Sequence, residues 1–377
     1  MRSIKKKGRA TAGVRPRAGY SWRRFRETAT AWLMMAPAAL GLTTFLIIPF
    51  IMAFQLSLTN TRLLSPNPPE FIGLGNYGQL LGVSVIPMEP LRDEATGEVQ
   101  RDEEGNVLYP RSRTILRADE RYSGLSELTQ INLFGDRYLV AAGDPTFWRG
   151  LINNFYFALV IVPLQSTFAL LLALLVNQKL RGVNLFRALY FIPVVVPMVV
   201  VAVVWSFLYN PGVGTINALV EAISFGRIGP QNWLADSRLA FPSIMLLSIW
   251  QGVGFQMVIF LAGLQEIPAE LYEAAEVDGC NGLQRFFFVT LPQLRNTTIF
   301  VVVATTILAF QLFTQVQVMT GGGPSDATMT TVLHAVREGR YELHAGYASA
   351  ITVMFFLIVL AVSIIQRIVV REERAIA

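Results

Sequence analysis

The sequence predicts an all-α polytopic membrane protein with six transmembrane helices, cytoplasmic amino and carboxyl termini, and a polar extracytoplasmic insertion between helices 1 and 2. Of the 377 residues, 53% are hydrophobic and only 15% are charged, a balance far from that of soluble globular domains. Six apolar runs are each long enough to cross a bilayer, which takes about 20 residues. Basic residues gather at the ends of these runs, as the positive-inside rule requires.

The amino-terminal segment, residues 1–30, is predicted to stay in the cytoplasm. It contains ten Lys or Arg and no acid before Glu27, so anionic lipid head groups attract it. The apolar run that follows, residues 31–58, is too long for the core of a secretory signal peptide and is predicted to be transmembrane helix 1. Pro37 and Pro49 lie within it, and we expect them to kink the helix.

Residues 59–146 are predicted to form a polar extracytoplasmic loop. Its central segment, residues 91–113, carries acidic and basic side chains that exclude it from lipid. The arginines of this loop do not affect the predicted topology, because long loops cross a membrane largely regardless of charge. Gly105-Asn106 lies in the middle of residues 98–109, and this stretch is predicted to form a β-hairpin.

Five further apolar runs complete the predicted membrane core, residues 147–370, which a short tail of residues 371–377 follows. The runs are residues 154–176, 185–208, 241–263, 297–319 and 347–370. Because the amino terminus is predicted to be inside, odd-numbered spans lead out and even-numbered spans return. Residues 264–292, which follow span four, and the tail are therefore predicted to be cytoplasmic.

The segment after span four is polar and acid-rich, although it lies between two apolar runs. Pro268 suits the first turn of a helix, where a missing N–H costs nothing, and residues 269–277 are strong helix formers. Gly279 is expected to end this helix with a turn, and a side chain there would clash if the turn needs a positive φ. A second helix is predicted for residues 283–289, ended by Pro292.

Seven residues of this segment resemble the EAA loop of the membrane subunits of ABC importers. The one departure is Val289, where Ile is commoner in that family. The resemblance implies that the segment docks into a groove of an ATP-hydrolysing subunit, with Glu273 meeting that subunit and Gly279 forming a tight turn. The alternative is an ordinary interfacial helix with a chance EAA triplet. The residues that carry the resemblance are Glu273, Ala274, Ala275, Gly279, Val289, Leu291 and Pro292.

Other segments resemble the permease subunits of carbohydrate importers, of the maltose-transporter large-subunit or glycerol-phosphate-permease type. Residues 320–324, TGGGP, are similar to a T-x-GGP signature, and residues 346–350 open the last span as in that family. Residues 71–77 and 144–148 resemble the flanks of that family's first loop, so residues 82–143 between them stand out as an insertion. Two interpretations of the insertion stay open: an extra contact with a solute-binding protein, or a solvated decoration.

The resemblance implies a function in sugar import. The chain is then a multi-pass permease subunit of the bacterial inner (plasma) membrane, which moves a mono-, di- or oligosaccharide or a related polyol. Its implied partners are a second permease subunit, two ABC ATPase subunits that bind ATP and Mg²⁺, an extracytoplasmic solute-binding protein and the lipid bilayer. No cofactor is expected in this chain. A permease for a non-sugar solute is the alternative within the same class.

Other function classes lack the residues that they need. The sequence has no G-x-x-x-x-G-K-[ST] phosphate loop and no nucleophile elbow, so we expect no enzyme chemistry in this chain. One cysteine, Cys280, and two histidines, His334 and His344, are too few for the usual metal sites. The net charge of +5 comes from membrane-flanking residues, so no nucleic acid is expected. No ionisable residue lies in the middle of a predicted span, which argues against an ion-coupled secondary transporter. A non-transport scaffold would have no use for an EAA loop.

Polar and aromatic residues within spans four and five are the candidates for the solute path. Polar groups are costly in hydrocarbon and therefore face protein or water. Amides and hydroxyls can bind the hydroxyls of a sugar, and an aromatic ring can cover its apolar face. The same amides can instead hold neighbouring helices together, and for each residue both interpretations stay open. The candidates are Gln251, Phe255, Gln256, Thr305, Gln311 and Gln315.

Overall fold

The computed structural model describes most of the chain. The described ranges are residues 19–93, 97–103, 105–133, 135–178 and 181–369. Most of the predicted basic amino terminus and the whole predicted tail, residues 371–377, lie outside them. Contacts between residues divide the chain into two compact units, residues 1–53 and 54–377.

The described part of the chain begins with a long helical run. α1 (Gly19–Leu42) leads into a π-helical turn (Thr43–Ile47), which α2 (Ile48–Ser57) follows. Its apolar stretch, Phe25–Ser57, is long enough to cross a membrane and overlaps predicted transmembrane helix 1. Pro49 is the second residue after the π-helical turn. A proline has no N–H to donate and its ring crowds the preceding turn, and a wider π turn relieves that crowding.

The insertion, residues 82–143, folds as a small α/β unit, so the all-α prediction does not hold for this part of the chain. The elements from its amino-terminal flank onward are α3 (Gly75–Leu81), β1 (Val83–Met88), α4 (Ser112–Ala118), a 3₁₀ turn (Glu120–Tyr122), β2 (Ser126–Leu133) and β3 (Asp136–Ala142). The three strands form an antiparallel sheet in the order β1-β3-β2. Val83 lies opposite Ala142, and Leu133 lies opposite Asp136.

The predicted hairpin at residues 98–109 is not part of this sheet. In the described part of that stretch, Arg101 and Val107 form an isolated antiparallel bridge, and Gly105 has a φ of 85°. The hairpin of the sheet is instead formed by β2 and β3, and α4 packs against it. Side chains that alternate along the strands face this helix. The buried core of the insertion consists of Ile86, Met88, Leu116, Leu139 and Ala141.

Helices continue from the insertion to the end of the described chain. In order they are α5 (Pro145–Val176), α6 (Val183–Val195), α7 (Met198–Leu208), α8 (Thr215–Ile223), α9 (Ala240–Glu266), α10 (Ala269–Val277), α11 (Gly282–Arg285), a π-helical turn (Phe286–Thr290), α12 (Leu291–Gln293), α13 (Arg295–Phe310), α14 (Thr314–Met319), α15 (Thr331–Val336), a second π-helical turn (Arg337–Tyr341) and α16 (Ala345–Val369). α5 and α9 pack along each other at the centre of this unit. Their buried contact includes Ala169, Ala173, Met257 and Phe260.

Among the described residues, five helical stretches are long and apolar enough to cross a membrane, one of them Arg295–Met319, which contains α13 and α14. A sixth span results if α6 and α7 count as one. The prediction of a helical multi-pass membrane protein is therefore confirmed, with five or six spans. α6 and α7 are bent by 98° where the sequence predicted one span at residues 185–208. The bend falls at Val196, which is extended (φ −75°, ψ 130°), because the following Pro197 disfavours a helical conformation there.

The predicted fifth span, residues 297–319, is also interrupted. α13 ends at Phe310 and α14 begins at Thr314, so residues 311–313 between them are not helical. Phe310 and Leu312 are buried in the core cluster of this unit. Non-helical backbone at membrane depth is tolerated only where it is buried in protein or lines a water-filled cavity. The break therefore needs hydrogen-bond partners from neighbouring elements.

Candidate functional site

The segment between α9 and α13 has the predicted helix, glycine turn and helix. α10 occupies the predicted residues, and Gly279 follows it with a φ of 77°. Asn281 then begins the second helical part with a capping box, in which its side chain and that of Gln284 bond each other's backbone N–H. The second part is a composite of α11, a π-helical turn and α12. Pro292 lies inside α12 instead of ending it, and the chain turns at Leu294.

Two contacts hold the halves of this segment against each other. The hydroxyls of Tyr272 on α10 and Thr290 lie 3.0 Å apart. Arg285 lies 3.6 Å from the carboxylate of Glu276, although that carboxylate is largely exposed. An exposed ion pair contributes about 0–1 kcal/mol, so the partly buried hydroxyl pair is the firmer of the two contacts. The segment can therefore move as one body with the helices at its ends.

The outward surface of this segment combines an acid with apolar side chains. Glu273 and Ala274 are exposed, whereas Ala275 is buried against the rest of the segment. Val277 is 89% exposed and Phe288 is 72% exposed. Exposed large apolar side chains on this polar segment are available to pack against a partner. Of the EAA triplet, Glu273 and Ala274 are thus exposed to a partner, whereas Ala275 is not.

Gly279 is required by backbone conformation and not by lack of space. Its φ of 77° lies in the left-handed region that other residues rarely adopt. A Cβ built on it would meet no atom within 4 Å. The predicted clash is therefore wrong, while the need for a glycine at a positive φ is confirmed.

Three of the six candidate solute-path residues hold helices together. Gln256 on α9 donates a hydrogen bond of 2.5 Å to the hydroxyl of Thr305 on α13, and both side chains are buried. That hydroxyl in turn donates to the carbonyl of Val301. Gln315 on α14 donates to the hydroxyl of Ser248 on α9 at 3.3 Å. These contacts match the interpretation in which the amides join neighbouring helices.

The other three candidates are more accessible. Phe255 and Gln311 are exposed, and half-buried Gln251 makes only a 3.4 Å hydrogen bond to the carbonyl of Pro193. Gln251 and Phe255 are four residues apart and so share one face of α9, whereas Gln256 lies on another face. Trp250 lies beside Gln251 in sequence and is 44% exposed, and its ring packs at a tilt against that of Trp205, with the ring centroids 5.5 Å apart. The six candidates therefore divide into a hydrogen-bonded set and a more accessible set.

A buried polar joint that the sequence did not suggest links the start of α5 to α15 and α16. Asp144 Oδ2 accepts hydrogen bonds of 2.7 Å from His334 Nε2 and from the hydroxyl of Tyr347. Its other oxygen accepts from the Phe147 N–H and caps α5. Burial alone would raise the pKa of Asp144, but the hydrogen bond and charge of His334 and the other donors outweigh it and hold that pKa below its usual value. The joint borders a polar cavity of about 500 Å³.

Comparison with known proteins places most of the chain in one family. Residues 145–375 match the family described as binding-protein-dependent transport system inner membrane component. The chain is 36% identical over 231 residues to the probable ABC transporter permease protein YurN of Bacillus subtilis (strain 168), which covers 61% of this chain and 79% of that protein. It is 33% identical over 273 residues to the lactose transport system permease protein LacF of Rhizobium radiobacter, covering 71% and 90% of the two chains.

Two further similarities extend the comparison. The chain is 35% identical over 238 residues to the trehalose/maltose transport system permease protein MalF of Thermococcus litoralis, covering 63% of this chain and 79% of that protein. It shares its fold with a chain in the crystal structure of a bacterial ABC transporter involved in the import of the acidic polysaccharide alginate. That match has a TM-score of 0.65 at 16% identity and covers 93% of this chain and 98% of the other.

Proposed function

We propose that this chain, which belongs to the family of binding-protein-dependent transport system inner membrane components, is the subunit through which an ABC importer moves a sugar or a related polyol across the membrane. Members of the family are permease subunits and not enzymes. The observation that carries the proposal is that the family match includes the whole EAA segment. That segment is where such a permease meets the subunits that hydrolyse ATP.

Coupling to ATP hydrolysis follows from how the segment is joined to the spans. Two residues separate the end of α9 from the start of α10, and α13 begins directly after the turn at Leu294. A movement of the segment is therefore passed directly to two membrane helices. When the ATPase subunits close, the segment tilts α9 and α13 and switches the solute path from one side of the membrane to the other. Glu273, on the exposed surface of α10, contacts the ATPase subunit.

A sugar is the solute class that the relatives favour. Their names include a lactose, a trehalose/maltose and an sn-glycerol-3-phosphate transport system. The accessible candidates Gln251, Phe255 and Gln311 supply amides and an aromatic face, which are the groups that bind a sugar. Gln256, Thr305 and Gln315 support the path by holding α9 to α13 and α14. A non-sugar solute remains the second candidate, since other polar solutes use the same amides.

The complete importer has partners besides this chain. They are a second permease subunit, two ATPase subunits that bind ATP and Mg²⁺, and an external solute-binding protein. The insertion, which folds around its own core, lies on the external side in this proposal, and both termini lie in the cytoplasm. The family description and the apolar helices support a multi-pass location in the bacterial inner membrane.

Uptake by the reconstituted importer tests the proposal. Proteoliposomes carrying the complete importer, with ATP inside and the binding protein outside, are expected to accumulate a labelled sugar only when ATP is hydrolysed. Gln251→Leu and Gln311→Leu are expected to weaken uptake at low sugar concentration. The proposal fails if no sugar is taken up while an amino acid or peptide is. The role of the two glutamines fails if uptake of every sugar survives both changes.

A further inference from the structure

Two adjacent amides, Asn153 and Asn154, interrupt the apolar sequence of α5. Asn154 is completely buried. A buried amide at membrane depth is costly unless hydrogen bonds satisfy it. Neither residue belongs to the segment between α9 and α13 or to the candidate solute-path residues described above. Their partners therefore indicate what they do.

Asn154 bonds the ends of two other helices. Its Nδ2 donates to the carbonyl of Phe310 at 3.2 Å, and its Oδ1 accepts from the N–H of Thr331 at 3.0 Å. Phe310 is the last residue of α13 and Thr331 is the first of α15. The last carbonyls and the first N–H groups of a helix have no partner within the helix. One side chain thus satisfies a free backbone group at each of two helix ends.

Neighbouring positions on the same face of α5 hold the segment before α15. Asn153 Nδ2 donates to the carbonyl of Met329 at 2.9 Å and lies within 3.4 Å of the carbonyls of Asp326 and Ala327. A Cβ at Gly150 would lie 2.8 Å from the nitrogen of Thr331, so only a glycine allows the close approach. Gly150, Asn153 and Asn154 have the i, i+3, i+4 spacing of one helix face.

The bond from Asn154 to Phe310 replaces a bond that a straight helix would make. In a continuous α-helix the carbonyl of Phe310 would accept from the N–H of Thr314, four residues on. Because α13 ends at Phe310, that bond is not made, and the amide of Asn154 takes its place. Asn154 therefore stabilises the broken form of the span over the straight form.

The break controls the direction of two candidate solute-path residues. Gln311 is the first residue after α13 and is exposed, and Gln315 lies in the first turn of α14 and bonds Ser248. A straight helix would rotate and shift both amides relative to α9. Interrupted membrane helices are where transporters commonly bind their solutes, because the freed backbone and the side chains beside it face a cavity.

We propose that Asn154 is a positioning residue: it holds the fifth span in its broken form and so sets the direction of Gln311 in the solute path and the position of Gln315, which ties α14 to α9. The proposal rests on the proposed function, because it needs a solute path beside α9 and α14. Asn154 itself does not touch the solute. It determines how well the solute fits, and so it affects affinity and selectivity among sugars.

The experiment compares Asn154→Leu with its neighbour Asn153→Leu in the complete reconstituted importer. Asn153→Leu is the matched control, because it removes an amide from the same helix turn but leaves the break bonded. Uptake is measured against sugar concentration for two sugars, per amount of importer inserted. Asn154→Leu is expected to raise KM about tenfold, which is the effect of one hydrogen bond of ordinary strength. It is also expected to change the ratio of the KM values of the two sugars. Asn153→Leu is expected to leave KM and the ratio unchanged.

Asn154→Ala is the second variant, and it keeps the test usable if the leucine variant does not fold. It leaves room for water to bond Phe310, so a smaller rise in KM is expected. Spin labels at Phe300 and Gln317 report the form of the span directly. Their separation in both Asn154 variants should move towards that of a continuous helix, about 1.5 Å per residue.

The outcomes separate the two proposals. If wild-type importer takes up no sugar under ATP, the proposed function fails. If wild type transports sugar but Asn154→Leu and Asn153→Leu lower the maximal rate equally with KM unchanged, the positioning role is wrong and the proposed function stands. An unchanged label separation in the Asn154 variants also overturns the positioning role.

Discussion

Gly279→Ala is expected to loosen the turn of the coupling segment, residues 264–292, which contains α10 and the EAA triplet. Gly279 has a φ of 77°, and a left-handed conformation costs any other residue except Asn about 1–2 kcal/mol. No atom lies within 4 Å of the added Cβ, so no contact energy adds to this figure. A change of 1–2 kcal/mol corresponds to about a 5–30-fold fall in the equilibrium constant for the closed turn.

Hydrogen exchange of the turn amides measures this fall. The N–H of Cys280 bonds the carbonyl of Ala275 at 2.9 Å, and the N–H of Gly279 bonds that of Glu276 at 3.0 Å. Both bonds break when the turn opens, so exchange should be faster by about the same 5–30-fold factor. Sugar uptake per ATP hydrolysed should fall with it, because a loose turn no longer transmits movement to α9 and α13.

Two further variants make the prediction specific. Gly282→Ala is the matched control, because Gly282 has no positive φ and nothing lies within 4 Å of its added Cβ. It should leave exchange and coupling unchanged. The exchange rate of the turn amides in Gly279→Asn should lie between those of wild type and Gly279→Ala, because Asn adopts a positive φ more readily than Ala does. The reasoning is refuted if Gly279→Ala exchanges like wild type, or if Gly282→Ala is equally harmful.

Two more predictions concern buried contacts. Because the hydrogen-bonded partners hold the pKa of Asp144 below its usual value, its contribution to folding is present above the unfolded pKa of about 3.9 and is lost as pH falls through the folded pKa. The thermal stability in detergent should therefore fall in acid below about pH 4. Asp144→Asn should lower the free energy of unfolding at pH 7 by about 1–3 kcal/mol and abolish that acid dependence; an unchanged pH profile would contradict this. A double-mutant cycle of Gln256→Leu with Thr305→Val should give a coupling of about 0.6 kcal/mol with KM for sugar unchanged, whereas a raised KM with no coupling would assign the pair to solute binding.

The coupling segment is the part of the fold that the sequence predicted best. Pro268 and Gly279 are local signals, and α10 lies between them at the predicted residues. Hydrophobic runs likewise predicted the positions of the membrane helices. The bend at Pro197 could have been expected from the proline, but its size depends on how α6 and α7 pack.

Non-local contacts explain what the sequence did not show. β1 pairs with β3 from the far end of the insertion, which leaves no local pattern. Asp144 meets His334 and Tyr347 from positions 190 and 203 residues away along the chain. The break after Phe310 is bonded by Asn154 from another helix, and hydropathy does not report such a contact. Hydropathy therefore predicted α13 and α14 as one span.

Helix spacing alone could have shown which of the candidate solute-path residues on α9 share a face. Gln251 and Phe255 are spaced for one face of α9, and Gln256 is not. The spacing therefore predicts that Gln251 and Phe255 have a different environment from that of Gln256. The hydrogen-bond partner of Gln256 could not be predicted, because Thr305 comes from a separate helix.

The central claim is that Glu273, one of the exposed acids of α10, joins this permease to its ATPase, and co-purification tests it most directly. The tagged chain is isolated in mild detergent from its native membrane as wild type, Glu273→Lys and Asp278→Lys. The last variant is the control, because it makes the same charge change at an exposed residue of the same segment. The account predicts that a P-loop ATPase and a second permease accompany wild type and Asp278→Lys, and that the ATPase alone is lost from Glu273→Lys. A wild-type chain that purifies without an ATPase, or a Glu273→Lys chain that keeps it, would contradict the account.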